Sequence, residues 1–183
     1  AEKVNAEVIV RITGDCPLVD SILVDECING FLNSGVDYYS NTIHPTFPDG
    51  LDVEVFKYSA LKIASEKTAK QSHREHVTPY LKETNIFSKF NHSNDKDLSA
   101  FRWTVDNPED FEVIQNIFQN FKPNIYFSWK DVLKLHSKNP KLFFANSQIL
   151  RNEGETLETG QKLWRRAKRV IPGNSTFSIY EIM

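Results

Sequence analysis

Apolar and polar positions alternate along the chain in rhythms that change from segment to segment. Residues 7–13, EVIVRIT, are almost continuously apolar and rich in β-branched side chains, the pattern of a central strand covered on both faces of a parallel sheet. Leu23, Val24, Cys27, Ile28, Phe31 and Leu32 then recur at helical spacing, with Asp20 placed to cap the start and Gly35 to stop the end. DYYSN at 37–41 predicts a short second strand. LDVEVF at 51–56 alternates strictly, so Leu51, Val53 and Val55 face one way and Asp52 and Glu54 the other. A helix is predicted over 59–69, and Thr78 before Pro79 reads as the cap and first residue of another. AFRWTVD at 100–106 alternates again, setting Arg102, Thr104 and Asp106 opposite Phe101, Trp103 and Val105. Asn107 as cap, Pro108 and first-turn acids open a helix whose Phe111, Ile114, Ile117, Phe118 and Phe121 must pack on the sheet, and Ser128 with Asp131 opens one more by a capping box.

Strands alternating with helices predict a layered α/β domain up to about residue 154, with helices on both sheet faces. Ligands of such sheets gather at the carboxyl ends of strands, and Asp15 and Asp106 each lie just past a predicted strand end. A carboxylate following a glycine there suits a hard cation, since Mg²⁺ commonly takes one or two protein carboxylates plus phosphate oxygens. The ordinary alternative is a helix cap or dipole partner, a role that Asp20 and Asp110 fit well.

Composition narrows the picture by exclusion. The 183 residues, 40% hydrophobic and 12% aromatic, suffice for one domain with a real core. A formal charge of −2 and a pI near 6.2 argue for neither nucleic acid nor membrane as partner. Cys16 and Cys27, without a CxxC or a His-rich partner sequence, support neither a disulfide framework nor a zinc site, so a reducing cytoplasm is expected. No apolar run approaches the ~18 residues a membrane span needs. The first residues lack an initiator Met and enter a strand directly, which leads us to expect that the chain is cut from a longer one.

The blocks VRITGDCPLVD, YSNTIHPTFPDGLDVEVF, HREHVTPYL, RWTVDNPEDFEVI and RNEG, in this order over residues 1–154, resemble the cytidylyltransferase-like family of spore coat polysaccharide biosynthesis, relatives of the enzymes that make CMP-activated acidic sugars. The resemblance implies a nucleotide-diphospho-sugar transferase-like (Rossmann-like) α/β fold, a mixed sheet flanked by helices. It implies a reaction joining CTP to a sugar with release of pyrophosphate, and possible homodimerisation. It also implies that Asp15 and Asp106 are the catalytic residues that bind Mg²⁺. Arg11 or Arg102 would offer a guanidinium to a phosphate or a sugar carboxylate, though Arg11, mid-strand, is equally suited to pairing within the sheet. Asp49, Asp52 and Glu54 offer acceptors for sugar hydroxyls or a second metal contact, or else the polar face of an edge strand. His73, Arg74, Glu75 and His76 stand together; Arg74 and His76 are candidate substrate contacts and a histidine there could act as a general base, but structural support of a loop is the favoured reading. His44, His92 and His136 are assigned no role.

Family members of this pattern begin with a strand and a Gly- and Arg-containing loop that grips the triphosphate, and no GxG or P-loop occurs among the seven glycines. We therefore expect a cytidylyltransferase-like domain over 1–154 that lacks its N-terminal strand and phosphate loop and does not turn over alone. Residues 155–183 read as a linker and a basic amphipathic helix, with Leu163, Trp164, Ala167 and Val170 on one stripe. That stretch resembles the opening helix of glutamate-1-semialdehyde aminotransferase-like enzymes, which implies a parent chain whose missing C-terminal part uses pyridoxal phosphate. A glycosyltransferase-type domain and a noncatalytic nucleotide-sugar-binding domain remain the alternatives.

Overall fold

The computed structural model describes residues 5–68, 78–151 and 181–182. In chain order the elements are β1 (Val8–Arg11), α1 (Ser21–Ser34), β2 (Tyr38–Ser40), β3 (Glu54–Lys57), α2 (Tyr58–Lys67), α3 (Pro79–Glu83), β4 (Lys89–Asn91), α4 (Pro108–Phe121), α5 (Trp129–Lys138), a 3₁₀ turn (Pro140–Phe143) and β5 (Glu181–Ile182). The sheet order is β4-β2-β3-β1-β5. Among the described strands β2 and β4 run parallel and the other pairs antiparallel; β1 is antiparallel to both its neighbours, with Arg11 opposite Glu54. The parallel setting expected for β1 is thus corrected. Its continuous apolarity reports cover on both faces, and that cover comes from helical layers whatever the direction of the neighbouring strands.

β1, β2 and β3 each feed two cores through adjacent residues, because successive side chains leave opposite faces. Val10, Tyr39 and Val55 join Leu23, Cys27 and Phe31 of α1, Val113, Ile114 and Ile117 of α4, and Val132 of α5. Ile9, Tyr38 and Phe56 join Ala60 and Ala64 of α2 and Leu81 of α3. Helices therefore cover both faces, as the alternation of elements predicts. At about 25 cal/mol per Å², fully burying any one of these large side chains is worth roughly 1.5–3 kcal/mol. Phe111, Phe118 and Phe121 lie at the margin of the first core, partly buried against it.

The helix ends follow their local chemistry. Asp20 accepts from the backbone N–H of Ile22 at 2.9 Å and of Leu23 at 3.2 Å through one oxygen. Its other oxygen accepts from the N–H of Trp129, at the start of α5, at 2.9 Å. Gly35 closes α1 at φ 69°, in the left-handed region where a side chain is disfavoured. The Ser128–Asp131 capping box forms as read, at 3.1 and 3.2 Å. Thr78 precedes α3, but its hydroxyl does not cap the helix: it donates to Glu54 at 2.8 Å.

Two strand assignments need correction. Residues 100–106 form no strand; one isolated bridge, Asp49 to Arg102, is all their ladder. The alternation is real, since Trp103 and Val105 are fully buried in the first core, but it arises from packing on one side and an ion cluster on the other. Nor is β3 an edge strand: it is the middle strand of the sheet, and Glu54 is buried. The basic helix expected at 162–170 lies outside the described residues.

Candidate functional site

Four loops are sewn together at one rim of the sheet. After β1 the chain turns through Gly14 and Asp15. The Asp15 carbonyl accepts from the N–H of Val105 at 2.9 Å and from the Thr104 hydroxyl at 3.2 Å, which fixes Asp15 beside Asp106. The loop before β3 is tied to the same segment by Asp49 N–H to the Phe101 carbonyl at 2.8 Å and Trp103 N–H to the Asp49 carbonyl at 2.7 Å. Gly50 makes this approach possible: its φ is 100°, and a Cβ there would stand 2.6 Å from the Trp103 carbonyl carbon. Finally Asn146 donates to the Arg102 carbonyl at 3.0 Å and to Asp110 at 2.8 Å.

Arg102 is the hub. Its Nε and Nη2 grip both oxygens of Asp110 at 2.9 Å, Nη2 also reaches Asp106 at 2.7 Å, and Nη1 reaches Asp49 at 3.0 Å and the Leu150 carbonyl at 3.3 Å. A guanidinium has five N–H donors, so all of them are spent on protein. Asp110 in addition accepts from the N–H of Asp106 and of Asn107, each at 3.0 Å. Burial pushes the Asp110 pKa up, but the hydrogen bonds from Arg102 and Asn146 and the Arg102 charge outweigh it and hold it below the ordinary value.

Negative charge is in excess around this hub. Among the described residues, Asp15, Asp49, Asp52, Asp106 and Asp110 face Arg102 and Arg151, with the Lys82 charge acting on Asp52; Arg151 binds Asp52 at 2.5 Å and approaches Asp49 at 3.7 Å. Burial raises the Asp49 pKa, Arg151 lowers it, Asp52 raises it and Arg102 lowers it, for a result of about 6. The Asp106 pKa is raised, first by burial and then by the Asp15 charge, with Arg102 opposing. Burial and the charges of Asp15, Asp52 and Asp49 likewise keep the Cys16 thiol protonated. Asp106 uses Oδ2 on Arg102, and Asp15 meets the Cys16 thiol through Oδ1 at 3.6 Å. Among the described residues, the other oxygen of each has no hydrogen-bond partner. Among the described residues no group of three or more His, Cys, Asp and Glu side chains is arranged to hold a metal. Two neighbouring carboxylates, Asp106 tied to Arg102 and Asp15 close enough for its charge to act on Asp106, are a donor set of the kind Mg²⁺ accepts, since that ion commonly takes one or two protein carboxylates.

A second charged cluster lies beside the first. Glu54 accepts from Thr78 at 2.8 Å, from Tyr38 and Arg11, and pairs with Lys82 at 3.3 Å. Burial raises its pKa, but the Lys82 and Arg11 charges with the Tyr38 and Thr78 hydrogen bonds more than offset this, so the carboxylate is ionised below its ordinary range.

The structure therefore brings Asp15, Asp106, Asp49, Asp52 and Arg102 to one rim and binds Arg11 to Glu54 next to it. Arg74 and His76 lie outside the described residues. Sequence reasoning missed Arg151, Lys82, Tyr38 and Asn146 and gave Asp110 a capping role alone. Arg151 stands in the RNEG block, whose lone cation was the available signal; nothing local marks the others.

The profile of the cytidylyltransferase family matches residues 1–157. The chain belongs to the cytidylyltransferase family. It is similar, at 32% identity over 148 residues, to an uncharacterized protein of Methanocaldococcus jannaschii, covering 79% of this chain and 59% of that one. It is similar, at 29% identity over 143 residues, to the spore coat polysaccharide biosynthesis protein SpsF of Bacillus subtilis, covering 76% of this chain and 58% of that one. Among solved structures, a cytidylyltransferase from Leptospira borgpetersenii serovar Hardjo-bovis superposes with a TM-score of 0.74 at 31% identity, over 84% of this chain and 62% of that one. The mixed α/β fold of this family member is thus shared with a cytidylyltransferase structure, and the chain spans about three-fifths of the length of these relatives. No helix among its described residues is long and apolar enough to cross a membrane.

Proposed function

We propose that the rim formed by Asp15 and Asp106 is the metal and sugar half of a nucleotidyl-transfer site that joins CMP, from CTP, to a sugar for surface polysaccharide synthesis, in the cytoplasm where CTP is supplied. The reading rests on one observation: the Asp15 carbonyl is locked to Thr104 and Val105, so two carboxylates 91 positions apart in sequence come close enough for the Asp15 charge to raise the Asp106 pKa, each with an oxygen that has no hydrogen-bond partner among the described residues. A bound Mg²⁺ would supply positive charge against the triphosphate and the leaving pyrophosphate. Asp15 and Asp106 would hold that ion. Arg102, with every donor spent, aims Asp106 rather than touching substrate, and Asp110 and Asn146 fix Arg102 in turn. Asp52, half-buried at the rim beside Arg151, would accept from a sugar hydroxyl. Positioning and charge compensation are the main means of accelerating such transfers.

The test is titration of the chain with CTP, with and without Mg²⁺, followed by tryptophan fluorescence, alongside pyrophosphate release with candidate sugars. We expect Mg²⁺-dependent CTP binding in the chain, lost at least tenfold in Asp15→Asn and Asp106→Asn while circular dichroism stays unchanged. Metal-independent binding, or wild-type affinity in both variants, would refute the assignment. We also propose that the chain alone releases little pyrophosphate, since the glycine-rich triphosphate loop of the resembling family does not occur in its sequence; robust release by the isolated chain would overturn that part.

A further inference from the structure

Asn41 stands just past β2, buried, and its side-chain amide is spent on one short segment of the chain. The antiparallel register of β2 and β3 pairs Ser40 with Glu54, so the next pair along is Asn41 with Val53. Half of that pair is ordinary ladder: the Asn41 backbone N–H donates to the Val53 carbonyl at 3.4 Å. The other half is not. The Val53 N–H donates at 2.9 Å to Asn41 Oδ1, and Asn41 Nδ2 donates at 2.7 Å to the Leu51 carbonyl. A primary amide offers the donor and acceptor of a peptide unit, and here the side chain takes the place of a strand neighbour. Beyond it the chain turns, the Thr42 N–H donating to the Ser40 hydroxyl at 3.1 Å. Residues 51–53 therefore keep the alternation of a strand, with Leu51 and Val53 fully buried in the first core, although β3 begins only at Glu54.

The residue between these two bonds is Asp52. The Leu51 carbonyl belongs to the peptide group before its Cα and the Val53 N–H to the peptide group after it. One side chain thus holds both planes that meet at Asp52, and with those planes set the direction of its Cα–Cβ bond is set too. Because successive side chains leave opposite faces, burying Leu51 and Val53 turns Asp52 to the other side, where its Oδ1 accepts from Arg151 Nη2 at 2.5 Å. A group that meets substrate must be held to roughly 0.5 Å by partners that are themselves locked by packing and hydrogen bonds, and a buried amide paired on both sides meets that demand. We propose that Asn41 is a positioning residue for the acceptor end of the rim, doing for the Asp52 carboxylate what Arg102 does for Asp106. The acceptor role of Asp52 rests on the nucleotidyl-transfer reading above; its placement by Asn41 does not.

Carboxyl-carbon NMR of Asp52 in the folded, metal-free chain tests this. Burial raises the Asp52 pKa above its ordinary value, the Arg151 charge and hydrogen bond and the Lys82 charge lower it, and the Glu54 charge raises it again. Removing the guanidinium in Arg151→Met should therefore move the Asp52 titration midpoint up. We expect that upward shift to shrink about twofold or more when Asn41→Leu is added, because a carboxylate no longer held toward Arg151 has less to lose. Ser40→Ala is the control: it removes a 2.9 Å hydrogen bond to the Val53 carbonyl without touching the planes that meet at Asp52, and the shift should persist in it. An undiminished shift in Asn41→Leu, or an equal reduction in Ser40→Ala, overturns the proposal. A purely structural Asn41 would lower the melting temperature of its variant and leave the response of Asp52 to Arg151→Met unchanged. Should Asn41→Leu not fold, Asn41→Ser, whose hydroxyl can keep one of the two bonds, is read in the same way, with a smaller reduction expected and none overturning the idea. Mg²⁺-CTP titrated into the wild-type chain separates the two readings: a diminished Asp52 response without CTP binding leaves the positioning role standing and removes the nucleotide reading.

Discussion

The two ion clusters at the sheet rim are inverse constructions. Around Arg102 one guanidinium is surrounded by Asp49, Asp106 and Asp110; around Glu54 one carboxylate is surrounded by Arg11 and Lys82 with two hydroxyls. The first centre is saturated, every N–H having its acceptor, so it can only organise the carboxylates around it. The second centre is saturated as well, while among the described residues Arg11 makes one side-chain hydrogen bond, to Glu54, and the Lys82 charge is shared between Glu54 and Asp52. Charge left over at the periphery is negative in one case and positive in the other. Burying a hub and leaving its satellites partly exposed converts an interior interaction, costly if unpaired, into a surface with a defined sign.

That comparison can be broken most directly at its hubs. Arg102→Met would strand three carboxylates with little solvent access; we expect a loss of about 3–5 kcal/mol in urea denaturation, and a loss under 1 kcal/mol would deny the hub its role. Glu54→Gln keeps the shape and removes the charge that gathers Arg11 and Lys82. Because those satellites can turn to water, the expected cost is smaller, about 2 kcal/mol by the same measurement. Gly50→Ala probes the backbone approach that carries Asp49 to Arg102: a Cβ at φ 100°, 2.6 Å from Trp103, should destabilise by about 1–3 kcal/mol, and neutrality would mean that the loop relaxes freely.

The smallest effect separates the clusters by pH. In metal-free protein, carboxyl carbon NMR should find Asp49 titrating at about 6 and Glu54 below its ordinary range. The signs follow by linkage. Asp49, raised above an unfolded value near ~3.9, contributes stability that is full below that value and is lost as pH rises through about 6. Glu54, depressed, contributes stability present above its unfolded value and lost as pH falls through the folded one. Asp49→Asn should flatten the first slope and leave the second; parallel slopes would contradict the inverse design.

How much of this the sequence carried depended on range. Helix ends were legible because Asp20, Gly35, Asn107 with Pro108, and Ser128 with Asp131 act within a few residues of where they stand. Strand direction was not, since Val8–Arg11 is apolar whichever way its neighbours run. The alternation at 100–106 was read correctly as two faces and wrongly as a ladder, because Arg102 inside an ion cluster leaves the same mark as a polar residue on a sheet. Asp15 and Asp106 stood out as carboxylates just past predicted strand ends, and the family resemblance decided their expected metal role. Arg151 pairs with Asp52 across 99 residues, and Lys82 on α3 reaches Glu54 on β3, contacts that no local pattern encodes.

Asp20 has a further consequence. One oxygen holds the first amides of α1 and the other holds the first amide of α5, so neither helix can fray at its start without releasing the same carboxylate. The two helix starts should open as one cooperative unit, and in native-state hydrogen exchange Ile22, Leu23 and Trp129 should share one opening free energy.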